Sequence, residues 1–197
     1  MPNFHLANEE IQLIEEMKIL GVVLSSDLKW NANTHHIVTN AFKRVWILRR
    51  LKSLGTALPE LKDVYIKQIR SVLELAVPVW HSSLTQGNIS DIERVQKTAL
   101  HVMLGDNYVC YKNALYITSL ETLDARRNRL CSKFATKAVK HKKHSRWFKI
   151  NKKVTITRQQ QPKFCQVVSR TERFSNSPIS YLTDVLNEKY KNCRTKT

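Results

Sequence analysis

Glycine and proline are scarce in this sequence, four and five among 197 residues. An all-β sandwich needs turn residues roughly every ten positions, so their scarcity makes helix the default secondary structure. Long apolar runs are also missing. The best candidate, around residues 72–84, is broken by Glu74, Pro78 and His81 and falls short of the roughly 18 residues that span a membrane. The N-terminal MPNFHLANEE has neither the basic start nor the apolar centre of a secretory signal, which predicts an intracellular protein, nuclear or cytoplasmic. The four cysteines, Cys110, Cys131, Cys165 and Cys193, include no close pair that would open a zinc ribbon or redox motif. Buried or idle thiols are expected.

Motifs of self-contained enzymes are absent too. There is no P-loop, no glycine-rich dinucleotide turn and no HExxH. The acidic residues that stand close together, Glu9 with Glu10, Glu15 with Glu16 and Asp91 with Glu93, occupy positions expected to be solvated or helix-capping. His35 and His36 are adjacent at an expected helix start and point in different directions, unlike an i, i+4 metal-chelating pair. No catalytic residue, metal site, cofactor or small-molecule substrate is predicted.

What is present in excess is positive charge, +17 overall. Residues 1–125 carry 13 Lys and Arg against 13 Asp and Glu, whereas residues 126–197 carry 20 against 3. A concentrated field of one sign repels itself in a compact state and attracts polyanions. Nucleic acid leads as the partner, with an anionic membrane surface or a merely solvating tail as the alternatives. Apolar residues make up 42% of the chain, enough for a chain of this length to build a core.

The pattern along the chain predicts a mainly α fold with a short strand or hairpin near the N-terminus. Residues 3–16 read as a weak short helix or irregular lead-in, and Ile19–Leu24 as a β-rich run holding one glycine. A first helix is expected from Thr34 or His35, capped by Asn33 or Thr34, with Ile37, Val38, Ala41, Phe42, Val45 and Leu48 on one face and Gly55 at its end. A second starts at Pro59 and is kinked or ended by Pro78. Ser90 with Glu93, and Thr118 with Glu121, have capping-box spacing for two further helices, the first closing at Gly105. Beyond Lys143, KVTITRQ alternates like a strand, poor order is expected over Ser145–Ser175, and residues 178–190 form a short amphipathic helix. Of the four tryptophans, Trp46 and Trp80 are assigned to the core, leaving Trp30 and Trp147 as stacking candidates.

The helix that follows Leu120 carries the strongest functional pattern. At 100° per residue Leu123, Leu130, Cys131, Phe134 and Ala138 share one side, while Arg126, Arg129, Lys133, Lys137 and Lys140 line an adjoining edge with no acid among them. Five phosphate contacts would lower single-strand affinity roughly a hundredfold between 50 and 200 mM salt. RRLK at Arg49–Lys52 is a second, weaker patch, and KHKKH at Lys140–His144 has the composition of a nuclear signal.

Six ordered segments together resemble a known family. MKILGVVLSSDLKWNANTHHI, AFKRVWILRRLKSL, ELKDVYIKQIRSVLELAVPVW, DIERVQKTALHVMLG, SLETLDARRNRL and RTERFSNSPISYLTDVLNE are similar, in order and spacing, to the C-terminal portion of reverse transcriptases from non-LTR (LINE-like, Jockey-type) retrotransposons. The resemblance covers about Met17 to Glu188. It implies a palm-edge, primer-grip-like remnant at 1–33 in which Leu20 and Gly21 match the grip, a thumb-like helical bundle at 34–144, and a basic, partly disordered tail with a short C-terminal helix at 145–197. It implies an RNA/DNA template-primer as partner, together with the palm and fingers of the polymerase. The paired aspartates that hold two magnesium ions for polymerisation are missing from this sequence. The chain is therefore expected to be a non-catalytic template-primer backbone-binding fragment, or an inactive transposon remnant acting at most as a helical scaffold.

Overall fold

Strand pairing accounts for the β-rich start. The computed structural model describes residues 4–6, 9–11, 13–151, 162–166 and 168–194, with side chains for 13–151, 162–166 and 168–191. Strands β1 (Phe4–Leu6) and β2 (Glu9–Ile11) form one antiparallel hairpin, where a weak helix or irregular lead-in was expected. Strands β3 (Glu16–Ile19) and β4 (Val22–Ser25) form a second. The single run expected over Ile19–Leu24 is thus divided by a turn, with Leu20 and Gly21 at its centre at φ 49° and 87°. Two successive positive φ values are what a two-residue type I′ hairpin turn requires. Glycine supplies one freely, and a Cβ on Gly21 would lie 2.9 Å from Leu75 Cδ2.

Helix α1 (Asn31–Ser53) follows Trp30 without a side-chain cap. Asn33 and Thr34, expected as caps, are buried inside it, and Asn33 Oδ1 instead accepts the Val23 N–H at 3.1 Å, holding β4 on the helix. Ile37, Val38, Ala41, Val45 and Leu48 form the buried stripe that their spacing predicts. The helix ends at Gly55 with φ 80°, as expected of a C′ glycine.

A second rod begins as α2 (Leu58–Val64), with Pro59 in its first turn, passes through π-helical turns at Tyr65–Arg70, and ends as α3 (Ser71–Leu73). The chain then breaks at Ala76, φ 52°, and restarts as α4 (Val77–Trp80) with Pro78 in its first turn. Proline thus ends the rod ahead of itself and opens the next helix, because it lacks the N–H that a continuing helix needs. Helix α5 (Gln86–Leu104) lies along α1. Its cap is Thr85, whose Oγ1 accepts the Asn88 N–H at 3.2 Å, so Ser90 sits inside the helix and the expected capping box does not form.

Helix α6 (Tyr111–Thr118) leads to α7 (Leu123–Lys140). The second expected capping box also fails. Thr118 Oγ1 donates back to Ala114 O, and α7 is capped by Thr122 Oγ1, which accepts the Ala125 N–H at 3.2 Å. After a 3₁₀ turn at Ser145–Trp147 come the short α8 (Glu172–Ser175) and α9 (Pro178–Arg194), which packs on α7. Phe148 and Phe164 are buried, and Ile150 bridges Phe164, so these residues join the core within a segment where poor order was expected. KVTITRQ lies outside the described residues.

Candidate nucleic-acid interface

A buried polar network fixes where α7 begins. Tyr65 donates its hydroxyl to Gln96 Oε1, and Gln96 Nε2 donates to Tyr111 Oη at 2.9 Å and to Glu121 O at 2.9 Å. Glu93, read from its spacing as part of a capping box, accepts from the Tyr111 hydroxyl and from the Leu123 N–H through Oε1. Burial raises the pKa of Tyr65 and, with the Glu93 hydrogen bond adding to it, that of Tyr111, so both phenols stay protonated as donors. The first turn of α7 is thereby anchored to α5, α6 and the π-helical turns.

Past that anchor, the apolar side of α7 is buried at Leu123, Cys131, Ala135 and Ala138. Burial pushes the Cys131 thiol up to about 12, making it an inert core residue, while Cys110 and Cys165 are exposed. One residue on this side is charged. Arg127 is 1% exposed, donates Nε to His81 Nδ1 and Nη2 to Asp124 Oδ1, and has a pKa lowered by burial. Phe134, expected among the apolar residues facing the core, is instead 36% exposed.

The basic edge divides into two parts. Arg126 donates Nε and Nη2 to the two carboxylate oxygens of Glu74 at 2.8 and 3.0 Å, and Glu74 also binds Arg70. The Glu74 hydrogen bond raises the Arg126 pKa further. Arg129 is paired with Glu121, which also lies 3.7 Å from Arg126 Nη1. Glu74 lies at the end of another helix, where a projection confined to α7 does not reach, and Glu121 stands just ahead of the first turn of α7. Lys133, Lys137 and Lys140 are exposed and have no ion pair among the described residues. At 1.5 Å of rise per residue they stand about 6 and 4.5 Å apart along the axis.

Lys189, which sequence inspection passed over, reaches this row from α9, its Nζ donating to Thr136 Oγ1 at 3.0 Å. Between Asp124 and Glu172 the sequence contains no acidic residue, a run that marks the region more sharply than helical phase alone. Arg49, Arg50 and Lys52 at the end of α1 are exposed and likewise lack ion pairs among the described residues.

The other sites named from sequence fall elsewhere. Leu20 is 94% exposed at the hairpin tip, and the space open beside Gly21 is filled by Leu75 from its own chain. Trp80 is buried, as expected, with Nε1 donating to Leu75 O at 2.8 Å. Trp46, expected in the core, is 64% exposed, since it lies one residue past the buried Val45 on α1. Glu15, Glu16, Asp27, His35 and His36 border a cleft of about 820 Å³ beside the second hairpin. Ser25 Oγ and the Lys29 N–H donate to Asp27 and hold its pKa at about 2. Burial lowers the pKa of His36. Among the described residues no three His, Cys, Asp or Glu side chains are placed to hold a metal.

No family model, curated protein or solved structure matches the chain.

Proposed function

We propose that the chain is a helical module that holds the sugar-phosphate backbone of a polynucleotide, with Lys133, Lys137 and Lys140 of α7 as the contact row and Lys189 beside it. The observation that carries this reading is the exposed lysine row, free of acidic partners among the described residues, on a helix anchored by buried polar bonds. Cations without partners repel one another, the phosphates of a polyanion neutralise them, and the counterions released from the polyanion add to the binding free energy. The resemblance to the thumb portion of a non-LTR reverse transcriptase makes an RNA–DNA hybrid the substrate to test. On this reading the chain grasps a template-primer and leaves synthesis to carboxylates it does not itself carry.

Arg126 and Arg129 drop out of the proposed contact set, because each is already held by a carboxylate with which a phosphate would have to compete. With three contacts to a duplex, affinity is expected to fall about fortyfold between 50 and 200 mM salt, using the duplex coefficient. Filter binding to an RNA–DNA hybrid tests the assignment: Lys133→Glu with Lys137→Glu should abolish retention, and retention equal to wild type overturns it.

A scaffold reading is favoured by a different observation. Val79, Phe134, Trp147, Phe174 and Ile179 are exposed around one apolar groove between α4, α7 and α9. If the chain is a scaffold, the lysine variants leave hybrid binding unchanged while Phe134→Ser removes a protein contact.

A further inference from the structure

Three aromatic rings are stacked where α7 ends. His141 and His144 have ring centroids 4.4 Å apart with planes at 26°, and His144 and Trp147 follow at 4.5 Å and 20°. The backbone explains the stack. His144 N–H donates to His141 O and Trp147 N–H to His144 O, both i to i+3 bonds, and a 3₁₀ pitch places side chains three residues apart one above another. His144 is covered on both faces, while His141 is exposed and has one ring face covered by its neighbour. The Lys143 N–H donates to His141 Nδ1, which fixes that ring's orientation.

The two ends of the stack differ. Trp147 borders the apolar groove with Phe134, Phe174 and Ile179, where the polar edge of a nucleobase would lose its water without gaining partners. His141 directly follows Lys140, the last member of the lysine row, and Lys142, Lys143 and Arg146 around it are exposed. No acidic residue occurs within this part of the sequence.

We propose that the free face of His141 is a stacking platform for an unpaired nucleobase, continuing the His144–Trp147 stack while the preceding phosphates lie on Lys140 and Lys137. The inference rests on the backbone-binding reading above and adds a preference for a single-stranded segment next to a duplex. Stacking of a base on an aromatic side chain is sequence-tolerant and changes affinity roughly tenfold per base.

The test compares two probes, a blunt RNA–DNA hybrid and the same hybrid with a short single-stranded overhang, titrated by fluorescence anisotropy. Wild type should bind the overhang probe roughly tenfold more tightly. His141→Ala should lose that preference and keep its affinity for the blunt probe, and His141→Phe should retain both, which separates stacking from any effect on the helix end. Lys133→Glu with Lys137→Glu should weaken both probes together. Equal wild-type affinity for the two probes, or an undiminished preference in His141→Ala, overturns the platform. Undiminished blunt binding in the lysine variant overturns the backbone reading instead.

Discussion

The guanidinium of Arg126 is joined to the carboxylate of Glu74 by two hydrogen bonds, 2.8 and 3.0 Å long, that tie α7 to the break after α3. Side-chain exposures of 20% and 17% place this fork between surface and core, where it is worth more than an exposed ion pair. Glu74→Gln should therefore destabilise the fold by about 1–3 kcal/mol in urea titration. It should leave the salt slope of hybrid binding unaltered. A steeper slope in the variant would show that Arg126 becomes a phosphate contact once released.

Arg127 presents the opposite balance. It is almost fully buried, its Nη1 has no hydrogen-bond partner among the described residues, and its carboxylate partner Asp124 is half exposed. Replacing a buried ion pair by apolar side chains is often neutral or stabilising, and the Asp124 carboxylate left behind here is solvated rather than buried. Arg127→Met is expected to unfold at the same or a higher urea midpoint than wild type. A loss of more than about 2 kcal/mol would mean that the bonds to His81 and Asp124 outweigh desolvation.

Leu20 is a β-turn residue with the wrong side chain for its backbone. Its φ of 49° is in the left-handed region, and its side chain is exposed at the tip of the hairpin. Leu20→Asn should raise stability by about 1 kcal/mol, read as a shift in thermal midpoint. No gain would imply that Leu20 makes a compensating contact. A loss of hybrid affinity in the same variant would give the hairpin tip the gripping role that the resemblance implies.

His81 should make stability depend on pH. Its Nδ1 accepts from Arg127, its Nε2 bonds Asn128, and Tyr181 packs edge-on against its ring at 5.6 Å, with Asp124 nearby. Burial, with the Arg127 charge adding to it, lowers its pKa from the ordinary 6.5. A histidine held neutral when folded contributes fully above its unfolded pKa, and that contribution is lost as pH falls through 6.5 toward the folded value. The urea midpoint should drop between pH 7.5 and 5, and His81→Gln should flatten the decline. His36, whose pKa is lowered in the same direction, supplies the slope that remains.

Much of the fold was legible because local rules governed it. The stripe from Ile37 to Leu48, the glycine after α1, the proline opening α2 and the end of the second rod ahead of Pro78 each follow from spacing or backbone chemistry within a few residues. Capping was misread where two residues of suitable type stood at the right spacing but tertiary bonds took them first. Glu93 went to Tyr111 and Leu123, and the neighbouring Thr85 and Thr122 capped instead. The binding edge was partly legible for the same reason. Helical phase brings Lys133, Lys137 and Lys140 together, but Arg126 meets Glu74 across 52 residues of sequence, a pairing that exists only after α3 and α7 pack. The stack of His141, His144 and Trp147 depends on a 3₁₀ pitch that no residue in the segment announces.

The most direct measurement is the salt dependence of binding to an RNA–DNA hybrid, taken for wild type and for Lys137→Gln. The account predicts about a fortyfold loss of wild-type affinity from 50 to 200 mM salt, and a logarithmic slope shallower by about 0.9 in the variant. Identical slopes for the two proteins would contradict it, since the lysine row of α7 would then be touching no phosphate.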